Sequence, residues 1–431
     1  MITTIKNKTE DKAVVTSACL GGIFDGFDAS IYVLVLFPAV SELIHSQSHE
    51  QVGPIGAAIL AVFMLGWAVG AIIFGHICDR VGTIRTMTYT VLLYAISTAL
   101  CAISHSWQEM AFYRFLAGCG IGGEQGAGAI LLSEQFKNLQ VSKRYLMLGL
   151  MTASLSIGWW LSSGVNFLLG HFGWRYVFLC GLAPAFLAFY MRSRLFRSVL
   201  NSSEIIVHKS FLETVNNLFA LHLQKIFTVL LLSIAAIVNW WAVLSWIPAW
   251  INQLTGQLAV EERSLTGFIT YGGAIASAIL GASLLSRLGR RTTLAIAFSG
   301  CLVADVVMFL GIRSFGIPLL FCTFWVGFFA GLPFLCLFIL VPELFPRGTR
   351  GTAFGISLQA GRIFGAVAAL TGGQIIHAFH GSYAAAGSCV ALVNILGLVS
   401  AFFVPKYENF ILDEAQFEDT KPDQELVLAK R

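Results

Sequence analysis

Residues 75–85 read GHICDRVGTIR, and GASLLSRLGRR follows at 281–291, about 207 positions later. Each is a short, glycine-containing basic turn between two apolar runs. A second echo lies nearby, SEQF (Ser133 to Phe136) against PELF (Pro342 to Phe345), at nearly the same offset. A chain that repeats itself at so long an interval carries two copies of one structural unit.

Outward from these turns the apolar runs continue with short polar breaks. A helix needs roughly twenty apolar residues to cross ~30 Å of hydrocarbon, and spans of that kind are predicted near 14–38, 55–78, 86–104, 110–133, 145–170, 174–191, 226–251, 265–286, 292–311, 317–341, 352–377 and 382–404. They form two groups of six, residues 1–191 and 225–404. Residues 192–224 are expected to be a linker and 405–431 a charged tail. With 57% hydrophobic and 12% charged residues over 431 positions, the composition excludes a soluble protein. The fold class expected is an all-α membrane protein of twelve transmembrane helices in two six-helix pseudo-repeats. The first run follows Lys6, Lys8 and Lys12 like a signal peptide, but it is too long and carries Asp25 and Asp28. It is expected to remain as the first span.

The net charge of +4 reflects topology and gives no reason to invoke nucleic acid. With the N-terminus inside, Arg175, Arg263 and Arg313 are the basic residues on the outer side, and the other loop and terminal Lys and Arg fall inside. Positive charge concentrates in cytoplasmic loops, so both termini are expected in the cytoplasm of a bacterial inner membrane. The nine cysteines lie within or at the ends of apolar spans without C-x-x-C spacing, as packing residues do.

These features converge on a known family. GHICDRVGTIR resembles the loop between helices two and three of the major facilitator superfamily, and the resemblance covers nearly the whole chain. GGIFDGFDAS (21–30) resembles the two-aspartate signature of aromatic acid:proton symporters. RFLAGCGIGGEQGAGA (114–129) resembles the metabolite:proton symporter and sialic acid transporter branches. LVPELFPRGTRGTAFG (340–355) with LQAGRIFG (358–365) resembles sugar-porter relatives and aromatic acid symporters. Two departures stand out. Ser286 occupies the second-half position of Asp79, and span five, GLMTASLSIGWWLSSGVN, lacks the glycine-proline signature of drug:proton antiporters.

Six charges fall inside the spans: Asp25, Asp28, Arg114, Glu124, Asp305 and Arg362. Each costs at least ~2.5–3.5 kcal/mol to insert and is by default functional. Asp25 and Asp28, three residues apart, share a helix face and cannot both ionise cheaply; they are candidates for proton coupling, with a helix–helix hydrogen-bonding pair as the alternative. Arg114 lies ~15 Å along its helix from Glu124 and needs another anion, either Asp28 as a permanent bridge or a substrate carboxylate. Glu124, among six glycines that admit close helix approach, is a third proton candidate. Arg362, with Gln359 on the same face, is the best candidate to hold an anionic substrate; by resemblance it occupies the arginine of the aromatic acid symporters' glycine-arginine pair. An interhelical pair with an acid of the other half is the alternative. Asn239, Trp240 and Tyr271 are candidates for a substrate wall, although Trp near helix ends also anchors at the interface. Asp305 has no basic residue near it in sequence and is left without a role.

At the inner face Gly75 and Gly82 permit a tight turn, and Asp79, Arg80 and Arg85 can pair with neighbouring helix ends. By resemblance, Glu134 with Arg144 and Glu343 with Arg350 complete a latch within each half. The function expected is proton-coupled uptake of a small organic anion, most simply a carboxylate, by alternating access. A neutral sugar or polyol carrier, a metabolite or siderophore exporter, and a non-transporting receptor are the alternatives. No enzyme motif is present. The expected partners are the anionic substrate, protons and the lipid bilayer, with no nucleic acid and no cofactor or metal beyond the proton gradient; one chain is expected to suffice.

Overall fold

The computed structural model describes residues 2–137, 139–186, 210–255, 260–346 and 348–405. The described elements are helical throughout. The first five helices are α1 (Ile2–Leu43), α2 (His49–Val81), α3 (Thr83–Cys101), α4 (Trp107–Gln135) and α5 (Val141–Leu169). The span expected at 174–191 begins as α6 (Trp174–Leu179) and is described to residue 186. The predicted linker is described only from Ser210 onward, its residues 192–209 and the tail beyond 405 lying outside the described residues. Helix α7 starts earlier than expected, at Phe211, bends at His222 and runs as Phe211–Val238, a π-helical segment Asn239–Leu244 and Ser245–Thr255.

Ten stretches among the described residues are long and apolar enough to span a membrane, and one of them, Leu265–Gly311, counts twice. Its 47 residues would measure ~70 Å if straight, more than two bilayer cores. It breaks at Gly289, whose φ of +77° only glycine adopts cheaply. Ser277 on one side of the break packs on Gly331 and Gly300 on the other packs on Phe329, so both arms meet the same turn of one neighbour. The chain therefore doubles back into α8 (260–288) and α9 (290–311). The remaining helices are α10 (Ile317–Leu344), α11 (Arg350–Ala353, a π-helical segment Phe354–Gln359, then Gly361–Ala378) and α12 (Tyr383–Ala391 and Val393–Ala401).

Gly82, 207 positions before Gly289, turns the chain between α2 and α3 with φ +92°, so the repeated motif makes the same left-handed turn twice. Ser106 opens α4 by accepting a hydrogen bond from Glu109 N at 3.2 Å, and the Glu109 carboxylate caps the His105 N–H at 2.8 Å. This reciprocal arrangement is of the capping-box kind and satisfies two end donors. Helices α2 and α4 interlock through small residues, Gly66 against Phe115 and Gly70 against Cys119 from one side, Gly118 against Phe63 and Gly122 against Trp67 from the other. In lipid, where no hydrophobic effect joins helices, such close backbone approach supplies the packing.

The two halves meet along α2 with α11 and α5 with α8. Gly75 lies against Gly351, Gly355 against Ala71, Gly365 against Met64, and Gly149 against Ala278. These seams place the buried charges of α1, α4 and α11 at the centre of the bundle. The end bearing the 2–3, 4–5, 8–9 and 10–11 connections carries most of the basic residues and is called the basic end below.

Candidate functional site

Asp28 and Arg114 form a buried ion pair. Arg114 Nη1 donates to both carboxylate oxygens of Asp28 at 3.2 and 3.3 Å, and Nη2 donates to its backbone carbonyl at 3.2 Å. Thr98 of α3 donates its hydroxyl to the same carboxylate. The Arg114 guanidinium also stacks 4.1 Å from the Phe63 ring centre and 5.7 Å from Tyr32. Both members are at most 1% exposed. Of the two anions expected for Arg114, the structure supplies Asp28.

Asp25 points elsewhere. Its carboxyl neighbours that of Glu124, with Arg362 as the opposite charge, and Asp28 is a lesser influence. The sequence pairing of Asp25 with Asp28 is thereby corrected: Asp28 turns toward α3 and α4, where the cation Arg114 meets it, and Asp25 faces Glu124. Apart from each other, neither Asp25 nor Glu124 has a hydrogen-bond partner among the described residues, although both are fully buried. Tyr94 of α3 brings a hydroxyl without a hydrogen-bond partner near them. Gly21 creates the room, for a Cβ there would strike the Glu124 carboxylate.

Arg362 lies at the interface of the halves. Its guanidinium lies 3.5 Å from the Trp67 ring centre, Nε donates to Gln359 Oε1 at 2.7 Å, and Nη2 reaches Gln125 Oε1 at 3.5 Å. Gln359 Nε2 donates to Gln125 Oε1 at 3.0 Å, closing a link from α11 to α4. Among the described residues no carboxylate lies within ion-pair distance of Arg362, which is 5% exposed. Trp67 and Gln125 were absent from the sequence-derived candidates; Gln125 adjoins Glu124 in a glycine run where any polar side chain is costly.

Trp240 and Tyr271 gather around Trp159 of α5, at ring-centre distances of 6.4 and 5.2 Å, with Trp241 at 6.0 Å. Phe334 of α10 extends this wall, 5.6 Å from Trp240. The wall spans both halves, and Trp159 was likewise missed, though the GWW sequence signalled it. Asn239 departs from it: its side chain faces α9 and α12, where Asn394 donates to it at 2.9 Å and to Asp305 at 3.4 Å. Asn239, Trp240 and Trp241 share one π-helical segment, and successive residues of a helix point to different sides, so the tryptophans face the wall while Asn239 faces away from it.

At the basic end, Asp79 caps α11. Its oxygens accept from Gly351 N, Thr352 N and Thr352 Oγ1, each at 2.8 Å, a placement that suits a carboxylate at a helix N-terminus. The close contact of Gly75 with Gly351 makes this reach possible. The expected within-half latches are corrected. Arg144 pairs with Glu343, and Arg350 pairs with Glu134 at 3.5 Å, both across the halves. Two parallel repeats related by an axis along the membrane normal put the end of α4 beside α11 and the end of α10 beside α5, so each acid meets the other half's arginine. Arg290 joins Arg144 on Glu343. Arg80 is exposed in the last turn of α2 and Arg85 half-buried in the first turn of α3.

A pseudo-symmetric helical membrane bundle with buried charges at its centre and latches at one end has the architecture of a membrane transporter. The chain belongs to the Major Facilitator Superfamily, whose model matches residues 18–369. It is a multi-pass membrane transporter, not an enzyme. It is 28% identical over 360 residues to a protein of Cupriavidus pinatubonensis described as "Probable 4-methylmuconolactone transporter", covering 81% of this chain and 80% of that one. It is 25% identical over 400 residues to the cis,cis-muconate transport protein of Acinetobacter baylyi, covering 90% and 92%. The solved structure of the proton:xylose symporter XylE bound to 6-bromo-6-deoxy-D-glucose shares the fold, with a TM-score of 0.74 at 17% identity over 93% of this chain and 97% of that one.

Proposed function

We propose that this transporter takes up a small organic carboxylate together with protons, by alternating access across a bacterial inner membrane, with the basic end and both termini in the cytoplasm. The observation that carries the reading is Arg362, a buried guanidinium at the interface of the halves, held by two glutamines and a tryptophan ring, with no carboxylate at ion-pair distance among the described residues. Its charge partner Asp25 acts on it from beyond ion-pair distance, so its donors are not saturated by a carboxylate, and a planar carboxylate is the ligand its fork matches. The aromatic wall of Trp159, Trp240 and Tyr271 offers faces for an unsaturated or cyclic body. The relatives named for muconate and 4-methylmuconolactone transport support a substrate of this class.

Charge balance supplies the coupling. Asp25, Glu124 and Arg362 form two acids and one base, so a neutral centre holds one proton. A carboxylate arriving on Arg362 adds a negative charge, and a second proton restores neutrality. Release at the other face reverses both steps. Asp28 with Arg114 remains neutral by itself and stands outside this exchange. In the conformer described, Asp79, Arg144–Glu343 and Glu134–Arg350 hold the cytoplasmic side shut.

The test is uptake into proteoliposomes under an inward proton gradient, with carboxylates, neutral sugars and cations compared for wild type and Arg362→Gln. Hydrogen bonds to a charged group contribute ~1.5–3 kcal/mol, so the variant is expected to lose about 10- to 100-fold in apparent affinity for the carboxylate. Uptake of neutral sugars alone, unchanged in the variant, overturns the proposal.

A further inference from the structure

Asp305 lies deep in the C-terminal half, on α9, and is 0% exposed. Its neighbours are two amides, Asn239 from α7 and Asn394 from α12, together with Cys301 one turn earlier on its own helix. Among the described residues no Lys, Arg or His pairs with it.

The hydrogen bonding around it does not close. Asn394 Nδ2, which has two hydrogens, faces three acceptors: Asn239 Oδ1 at 2.9 Å, the Ala391 carbonyl at 3.0 Å and Asp305 Oδ2 at 3.4 Å. Asp305 Oδ1, Asn394 Oδ1 and Asn239 Nδ2 meanwhile lack a partner at full hydrogen-bond distance, and Asn239 acts on Asp305 only from farther off. Buried polar groups are nearly always satisfied, and three helices converging on one incomplete cluster is not a packing accident. The helices carrying Asn239 and Asp305 also turn π at Asn239–Leu244 and Val307–Gly311, a departure concentrated at functional sites.

We infer that Asp305, Asn239 and Asn394 form a monovalent-cation site, taking a proton or a sodium ion, separate from the centre at Arg362. One carboxylate cancels one positive charge, and the amide oxygens of Asn239 and, with its side-chain amide turned over, Asn394 complete an all-oxygen donor set of the kind a hard cation takes. A proton on Asp305 Oδ1 cancels the same charge and gives the unpartnered Asn394 oxygen a donor to accept from. Trp240 and Trp241 follow Asn239 directly, so filling the site fixes the segment that carries the aromatic wall. The inference does not depend on the identity of the organic substrate.

The experiment compares thermal unfolding of the purified, substrate-free full chain and its Asp305→Asn variant, in sodium against potassium chloride at equal ionic strength and across pH. A saturable upward shift of several degrees with sodium, present in wild type and lost in the variant, identifies sodium. A shift with acidification, lost in the variant and indifferent to sodium, identifies the proton. Identical sodium and pH responses in both proteins overturn the inference. Should the variant fail to fold, wild type alone decides by carbodiimide labelling with peptide mapping. Modification of Asp305 that sodium or rising pH suppresses supports the site, and an Asp305 unmodified under every condition overturns it.

Discussion

The two halves each bury an aspartate at their heart and treat it in opposite ways. Asp28 on α1 accepts from Thr98 of α3 and is neutralised by Arg114 of α4. Asp305 lies 207 positions after Thr98, the interval that separates Gly82 from Gly289, so in the second half the acid occupies the place of the hydroxyl that serves the acid in the first. Its amide neighbours again come from two other helices, but α10 carries no Lys or Arg from Ile317 to Leu344. The difference is one cation. A paired acid in a low-dielectric interior is a joint, expensive to break; an unpaired one is a site whose charge must come from outside.

The sharpest way to break this comparison is to neutralise each acid in turn. Asp28→Asn strands Arg114 without an anion, and removing one partner of a buried pair costs ~3–5 kcal/mol. Asp305→Asn removes a charge that has no partner and keeps its shape, so a loss below about 1 kcal/mol is expected in potassium-based buffer near neutral pH. Thermal unfolding of the two variants side by side reads the contrast. Equal losses would mean that the two halves hold their acids alike.

A smaller contrast concerns the latches, which follow the same pseudo-symmetry. Glu343 is 13% exposed and engages both Arg144 and Arg290, whereas Glu134 is 37% exposed and meets Arg350 at 3.5 Å. Charge-assisted bonds to a partly buried acid contribute ~1.5–3 kcal/mol, while an exposed pair contributes ~0–1 kcal/mol. Glu343→Gln should therefore open the basic end far more than Glu134→Gln. Spin labels at Leu139→Cys and Leu288→Cys, both exposed and in opposite halves, with Cys389 replaced by serine, report the ratio of open to closed populations. A larger opening in Glu134→Gln would reverse the ranking. Asp79 has no such counterpart, because Ser286 in its second-half position donates only to Ser283 O, at 2.9 Å.

What the sequence disclosed and what it hid divide along a physical line. Span lengths, the doubled turn at Gly82 and Gly289 and the six buried charges follow from local composition, because hydrocarbon thickness and insertion cost act on each helix separately. Partners across helices do not. Asp25 and Asp28 share a face by periodicity, yet which neighbour each meets depends on the rotation of α1 against α3 and α4, and no single helix encodes that. The same ignorance put the latches within the halves. Gln125, Trp67, Trp159 and Asn394 escaped because a neutral polar or aromatic residue in a span carries a weaker warning than a charge. Asn239 was assigned to the substrate wall with Trp240, but neighbouring positions on a helix point about 100° apart, and Asn239 turns to Asn394 instead.

The smallest structural perturbation addresses the centre itself. At Gly21 an added methyl meets the end of the Glu124 side chain, which can swing aside, whereas at Gly26 it meets the backbone of Leu155, which cannot. Gly21→Ala also removes a helical glycine, worth ~0.5–1 kcal/mol in the opposite sense. Its net effect on unfolding is expected to be near zero, with Gly26→Ala destabilising by about 1–3 kcal/mol through overpacking of α1 on α5. Transport should separate from stability. Once Glu124 is pushed from Asp25, the two acids no longer act as one unit, so accumulation driven by the proton gradient falls in Gly21→Ala while carboxylate binding at Arg362 persists. Counterflow without a gradient, measured beside gradient-driven uptake, distinguishes these. If both decline together, Glu124 serves packing rather than coupling, and the proton exchange belongs to Asp25 alone.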